Sequence, residues 1–221
     1  MTAVKFCGLT READVREAVR LGASYLGAIM TESPRRISPR AARSLFSTID
    51  GAPVQRVGVF GNEPVDTIIE YAREACVDIV QLHGWKSGSD PDFGRLKSEL
   101  GVDVWRVVRV GADGLGSEQR TMVGGVDGLL LDTMSPGVLG GTGVTFDWDL
   151  VAKDVRALRA TTRIILAGGL RPENVRNAID LLVPDVVDVS SGVESQPGIK
   201  DHSRMAAFMN AVRQTTTSPA S

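Results

Sequence analysis

Two residues of this chain are suited by type and setting to moving protons: Cys7, which is followed by Gly8 at the close of a short apolar run, and Asp132, which closes Gly-Leu-Leu-Leu-Asp-Thr at 128–133. A cysteine at a turn into a helix lies near backbone N–H dipoles that stabilise its thiolate and make it a proton acceptor, whereas the same cysteine inside an apolar run is ordinarily packed filler. A carboxyl group ending a buried strand must be hydrogen-bonded, exposed at an open mouth or partly protonated, and in a partly dry pocket it can donate a proton. Capping the next loop is the plainer role for Asp132. Asp188 shares by alternation the face of Ser190, two residues on. Cys76 has no comparable setting and reads as structural.

Two small-residue segments have the character of anion sites. Ala167-Gly168-Gly169-Leu170 and Ser190-Ser191-Gly192-Val193 allow close backbone approach, and N–H groups at such loops can bind phosphate oxygens without a lysine. Two tight turns are the alternative. Gly140-Gly141-Thr142-Gly143 is either a third nest or a loop over a mouth. Ser33-Pro34-Arg35-Arg36-Ile37-Ser38 offers two guanidinium groups, one of which could clamp a carboxylate, though paired arginines are usually only solvated. His83 could assist proton transfer or make a polar contact, and without a metal-spaced partner it is no metal ligand. Trp85, Trp105 and Trp148 lack an accompanying basic stripe and read as packing residues.

What must position these residues is an alternation of short apolar runs with segments of helical period. Strands are expected at Ala3–Cys7, Tyr25–Met30, Gln55–Phe60, Val77–Leu82, Val104–Val108, Gly128–Asp132, Arg163–Ala167 and Val186–Ser190. Helices are expected at Arg11–Leu21, after Ser38-Pro39 with Ala42, Leu45, Phe46 and Ile49 on one face, at Pro64–Ala75, within Asp92–Leu100, near Ser117–Val123, after Asp147, through Val175–Leu182, and through Met205–Val212. Serine at the cap and proline in the first turn mark the second helix. Eight such units favour a closed α/β barrel of the (β/α)8 type over an open doubly wound sheet, with the active site on the loops after the strands. The barrel is expected to fill residues 1–214 as one catalytic domain, leaving 215–221 as a flexible tail.

Composition narrows the partners. With 25 Lys and Arg against 27 Asp and Glu, the chain has no general field for nucleic acid or an anionic membrane. Nothing approaches the roughly 18 consecutive apolar residues of a membrane span, and the N-terminus lacks a secretory pattern. Two cysteines make a disulfide framework unexpected. A cytoplasmic enzyme with reduced thiols is the resulting expectation.

Taken together, Val-Lys-Phe-Cys-Gly-Leu-Thr at 4–10, Ser-Pro-Arg-Arg-Ile-Ser at 33–38, Val-Gly-Val-Phe-Gly-Asn-Glu at 57–63 and Val-Gln-Leu-His-Gly at 80–84 resemble phosphoribosylanthranilate isomerase. The order continues through Leu-Leu-Leu-Asp-Thr at 129–133, Gly-Gly-Thr-Gly-Val-Thr-Phe-Asp-Trp at 140–148, Leu-Ala-Gly-Gly-Leu-Arg-Pro-Glu-Asn-Val at 166–175 and Asp-Val-Ser-Ser-Gly-Val-Glu at 188–194. The resemblance spans nearly the whole chain. It implies an Amadori rearrangement of N-(5-phosphoribosyl)anthranilate to 1-(2-carboxyphenylamino)-1-deoxyribulose 5-phosphate in tryptophan biosynthesis, with no cofactor and no metal. It also implies that Asp132 is the general acid on the furanose ring oxygen and Cys7 the general base at sugar C2. The phosphate would lie near Gly168, Gly169, Ser191 and Gly192, with Gly141 and Gly143 helping. Arg36 would face the anthranilate carboxylate, and His83 and Asp188 count among the substrate contacts. The partner is thus a phosphorylated small molecule, with neither nucleic acid nor membrane, and the chain is compatible with a monomer.

Met134 and Val144 stand where the family commonly has lysine, and Gly61 where it commonly has valine; the missing lysines could weaken steering or phosphate affinity without changing the reaction class. A histidine-pathway isomerase performing the same rearrangement would resemble a carboxylate at position 7. A hydrolase using Cys7 as nucleophile with His83 would form an acyl-enzyme, and a sensor would bind without turnover.

Overall fold

Side chains on eight short strands alternate between two buried layers, and this alternation builds the architecture. The computed structural model describes residues 1–84, 91–111, 113–117, 124–133 and 147–214. The strands are β1 (Ala3–Phe6), β2 (Tyr25–Ile29), β3 (Gln55–Phe60), β4 (Ile79–Leu82), β5 (Asp103–Val110), β6 (Gly128–Thr133), β7 (Arg163–Leu166) and β8 (Val186–Val189). They pair in parallel in chain order, and β8 returns to β1, closing the barrel. The closed barrel, not the open sheet, is therefore the fold.

Tyr25, Val57, Ile79, Trp105, Leu130 and Ile165 fill the barrel interior, while Val4, Phe6, Leu26, Leu82, Leu129, Leu131 and Val187 pack outward beneath the helices. The edge of Tyr25 meets Trp105 at a centroid separation of 5.0 Å. Gly128 makes room for that indole, since a Cβ there would lie 2.7 Å from Trp105 Cδ1 and 2.8 Å from Ile165 Cδ1. Large apolar side chains thus plug one end of the barrel and leave polar residues to the other.

The outer layer consists of α1 (Glu12–Arg20), α2 (Pro39–Ser47), α3 (Val65–Ala75), α4 (Phe93–Leu100), α5 (Trp148–Leu158), α6 (Val175–Leu182) and α7 (His202–Arg213). Ser38 caps α2 as its sequence predicts, its Oγ accepting a hydrogen bond from the Ala41 N–H at 3.2 Å, with Pro39 in the first turn. Asp92 does the same for α4 through Arg95 N–H at 2.8 Å. The α2 helix ends at Ser47, short of Ile49, which still packs on the core from the next turn. Of the helix expected near Ser117–Val123, only Ser117 lies within the described residues, and it is helical. The tail at 215–221 lies outside them.

Periodicity gives no sign of the segment after β8, which forms a single 3-10 turn at Ser191–Val193 and then an antiparallel hairpin of β9 (Glu194–Gln196) and β10 (Ile199–Lys200). Strands of three and two residues are too short for a period of two to register. Among the described residues, no helix is long and apolar enough to cross a membrane.

One local conflict is open to test. Val183 ends α6 in the left-handed region (φ 47°) with its side chain 52% exposed, and its N–H closes the helix on Ile179 O at 2.8 Å. A β-branched residue is strained there, and glycine is the usual occupant. Val183→Gly is expected to stabilise the fold by about 1 kcal/mol, raising Tm by roughly 2–4 °C. An unchanged or lower Tm in thermal unfolding would show that the strain is relieved elsewhere.

Candidate active site

The open end of the barrel holds a cavity lined from five strands and the loops after them, including Cys7, Gln81, His83, Asp132, Asp188 and Ser190. Strand alternation explains their convergence: Val80, Leu82, Leu129, Leu131, Val187 and Val189 face outward, so Gln81, His83, Asp132, Asp188 and Ser190 face in. Asn62, just after β3, and Arg106, in the middle of β5, do not line the cavity. Arg106 alternates with the inward Trp105 and Val107, and its guanidinium lies 5.8 Å from the ring centroid of Phe93 on α4.

Cys7 is 6% exposed and faces the cavity. The α1 helix begins at Glu12, five residues on, rather than at the glycine that follows Cys7. Among the positive charges that act on Cys7, the ammonium of Lys5 comes first. Burial pushes the Cys7 thiol above its ordinary pKa, and Lys5 works in the opposite direction. Lys5 is itself fully buried and ion-paired to Asp188 Oδ2 at 2.9 Å. Among the described residues, Asp188 Oδ1 is buried with no hydrogen-bond partner, which leaves an acceptor available at the cavity. Asp132, 7% exposed, has Oδ2 3.5 Å from His83 Nε2. His83 is thus placed as a neighbour of the carboxyl group.

The two small-residue loops meet as their sequences suggest. Gly168, Gly169, Ser191 and Gly192 all line the cavity. Gly168 has φ 83°, and a Cβ there would press on Thr133 Oγ1 and lie 2.5 Å from Thr133 N. A Cβ on Gly192 would overlap Leu170 O. Neither position admits a side chain, because the loop after β7 packs directly on the end of β6 and on the loop after β8. Gly141, Gly143, Met134 and Val144 lie outside the described residues.

Arg36 is a correction. It is exposed and does not line the cavity, whereas its neighbour Arg35 is 9% exposed and does. The backbone decides between them: Arg36 N–H bonds Ser33 O at 3.0 Å and Ile37 N–H bonds Ile29 O at 2.9 Å, closing a turn that directs Arg35 inward. Arg35 is held there by Glu194, whose carboxylate accepts three hydrogen bonds of 2.8, 3.1 and 2.7 Å from the guanidinium. Lys200 joins the same carboxylate at 2.8 Å and donates to Ser190 O at 3.2 Å. Burial opposes charge on Glu194, but Arg35 and Lys200 together hold its carboxyl below the ordinary range. Gly8 permits this arrangement: it has φ 70°, and a Cβ there would lie 2.6 Å from Arg35 Cδ.

Lys5, Glu194 and Lys200 escape a reading by motif. Lys5 carried a usable signal, because its place two residues before Cys7 puts both on one face of β1. Glu194 and Lys200 carried none, since their partners are fixed only by the hairpin. Among the described residues, no group of three or more His, Cys, Asp or Glu is placed to hold a metal ion.

Comparison with known proteins agrees with this geometry. Residues 4–211 match the family model of N-(5'-phosphoribosyl)anthranilate (PRA) isomerase. An N-(5'-phosphoribosyl)anthranilate isomerase of Geobacter sulfurreducens is 38% identical over 216 residues, spanning 96% of this chain and 99% of the relative. The crystal structure of phosphoribosyl anthranilate isomerase from Thermotoga maritima superposes with a TM-score of 0.81 at 36% identity, covering 97% of this chain and 100% of that one. A third, solved in complex with reduced 1-(o-carboxyphenylamino)-1-deoxyribulose 5-phosphate, gives a TM-score of 0.78 at 33% identity over 97% of this chain and 100% of its own. With a parallel eight-stranded barrel, a cysteine and an aspartate at one mouth, and full-length similarity of this order, the chain belongs to the N-(5'-phosphoribosyl)anthranilate isomerase family.

Proposed function

We propose that Cys7 and Asp132 carry the two proton transfers of the family's reaction on this chain. The activity is the aldose–ketose isomerisation of N-(5-phosphoribosyl)anthranilate, a step of tryptophan biosynthesis. Asp132 protonates the furanose ring oxygen while the anthranilate nitrogen lone pair drives C1–O cleavage, giving an open-chain Schiff base. Cys7 as thiolate then removes the C2 proton, and the electrons of the C–H bond form the enolamine. Loss of a proton from the C2 hydroxyl and gain of one at C1 complete the keto product. The observation carrying this reading is that both side chains line one cavity from different walls of the barrel, Cys7 just after β1 and Asp132 on β6. A general acid and a general base must each reach the same bound substrate.

The supporting contacts derive from the walls of that cavity. The phosphate lies against the backbone of Gly168, Gly169, Ser191 and Gly192, with no side chain able to fit at Gly168 or Gly192. Gly141 and Gly143, matching the family's motif, are assigned to help there. Asp188 accepts from a sugar hydroxyl through its unpartnered Oδ1, and His83 orients Asp132. The anthranilate carboxylate meets Arg35 in place of Arg36. The reading takes the chain as a monomer working in the cytoplasm on a phosphorylated small molecule.

The direct test generates phosphoribosylanthranilate in situ and follows loss of its fluorescence with purified protein. Enzyme-dependent conversion to the deoxyribulose phosphate supports the reading; binding without conversion would contradict it. In the same assay Arg35→Ala is expected to raise KM by about 10–100-fold, the loss of a charge-assisted contact, while Arg36→Ala changes KM by less than about twofold. The opposite ranking would return the carboxylate to Arg36.

A further inference from the structure

Lys5 is a lysine with no exposure at all, inside the barrel rather than on it, a location lysine almost never takes unless it is paired. Its pairing is accounted for in part by Asp188, which the β1–β8 register sets opposite it. A buried ion pair seldom adds stability over apolar side chains of the same volume. The charge therefore calls for a reason beyond folding, and besides Asp188 the ammonium shares its surroundings with the cysteine. An added Cβ on Gly27 of β2 would lie 2.9 Å from Cys7 Sγ and 3.2 Å from Lys5 Nζ, so sulfur and ammonium press on the same glycine. A charged Cys7 also favours the protonated form of Lys5.

We propose that Lys5 is a positioning residue that supplies the positive charge against which Cys7 forms its thiolate. This rests on the reading of Cys7 as the base. Other charges face the same sulfur from each neighbouring element. Asp188 on β8 opposes the thiolate, and Lys200 on β10 favours it. Arg35, in the loop before α2, also interacts favourably with a charged Cys7. Asp132 on β6 and His83 after β4 line the same cavity. Burial pushes the thiol up and Lys5 is the strongest influence pulling it down, so removing the ammonium leaves burial less opposed. Removing Asp188 acts the other way: ionising Cys7 then leaves a neutral Lys5–thiolate pair instead of a cluster with net negative charge. Lys5 itself stays protonated, because burial favours the neutral amine but Asp188 and Cys7 outweigh it.

The test measures the rate of iodoacetamide alkylation at Cys7 against pH, by mass spectrometry, in a Cys76→Asn background. Cys76 sits in the left-handed region (φ 52°), which asparagine tolerates. Lys5→Met is expected to slow alkylation near neutral pH by about tenfold or more and move the midpoint to higher pH. Asp188→Asn is expected to move the midpoint to lower pH. Opposite shifts are not what loosened packing would produce, since that would change access in the same direction for both. An unchanged midpoint in folded Lys5→Met, or shifts of one sign in both variants, overturns the proposal. If Lys5→Met does not fold, an unchanged or raised midpoint in Asp188→Asn overturns it alone. Because alkylation needs no turnover, failure of Cys7 as the base would show separately, as full activity in Cys7→Ala.

Discussion

Cys7→Ala is expected to lower kcat by about 10²–10⁴-fold while leaving KM within a few-fold, because the thiolate acts on the C2–H bond and not on the groups that hold the substrate. The carboxylate and phosphate contacts assigned to Arg35, Gly168, Gly169, Ser191 and Gly192 survive the substitution. The fold survives as well: Cys7 is a small buried residue in no disulfide, and removing its sulfur should cost only about 1 kcal/mol. Steady-state kinetics alongside thermal unfolding separate the two effects. A folded Cys7→Ala enzyme turning over near the wild-type rate would remove Cys7 from the chemistry and leave the proton at C2 without a base.

The second large effect belongs to Asp132→Asn. The substitution keeps the shape of the side chain and its place beside His83, but an amide cannot hand a proton to the ring oxygen. We expect kcat to fall by about 10²–10⁴-fold, with ring opening becoming the slow step. Product affinity should be nearly unchanged, and Cys7 should still react with iodoacetamide, showing that the opposite wall of the cavity is intact. Substantial turnover in folded Asp132→Asn would mean that another group protonates the oxygen, and His83, with Nε2 3.5 Å from the carboxylate, would be the first to examine.

Both predictions depend on side chains held by a charge network that crosses the mouth of the barrel. Lys5 and Asp188 join β1 to β8. Glu194 joins the hairpin to Arg35, and Lys200 ties the same carboxylate to the backbone of Ser190. These pairs are buried, so solvent screens them little, and removing one member leaves the other charge uncompensated. The hairpin after β8 is thereby fastened to the walls where carboxylate and phosphate are assigned to bind.

How much of this was legible depended on whether the signal was local. A period of two along β1, β4, β6 and β8 is enough to put Cys7, His83, Asp132, Asp188 and Ser190 on inward faces, because side-chain direction in a strand is set by its own backbone. The glycines at 168, 169 and 192 were legible as loops from their own small-residue segments, although why Gly168 and Gly192 exclude a Cβ required seeing Thr133 and Leu170 against them. Arg35 and Arg36 were not separable: adjacent residues of one type in a loop have no period, and a turn closed by Ser33 and Ile29 made the choice.

From its sequence alone, this chain determines eight strands in alternation with helices, the closed parallel barrel they favour, and the set of polar residues at the strand ends, because hydrophobic period and turn chemistry act over a few residues. Only the tertiary structure decided that Lys5 pairs with Asp188, that Arg35 enters the cavity, and that Glu194 holds it there. Those pairings link residues 183 and 159 positions apart, and the partner of a buried charge is set by which strands and loops the closed barrel brings together, a choice that no local preference encodes.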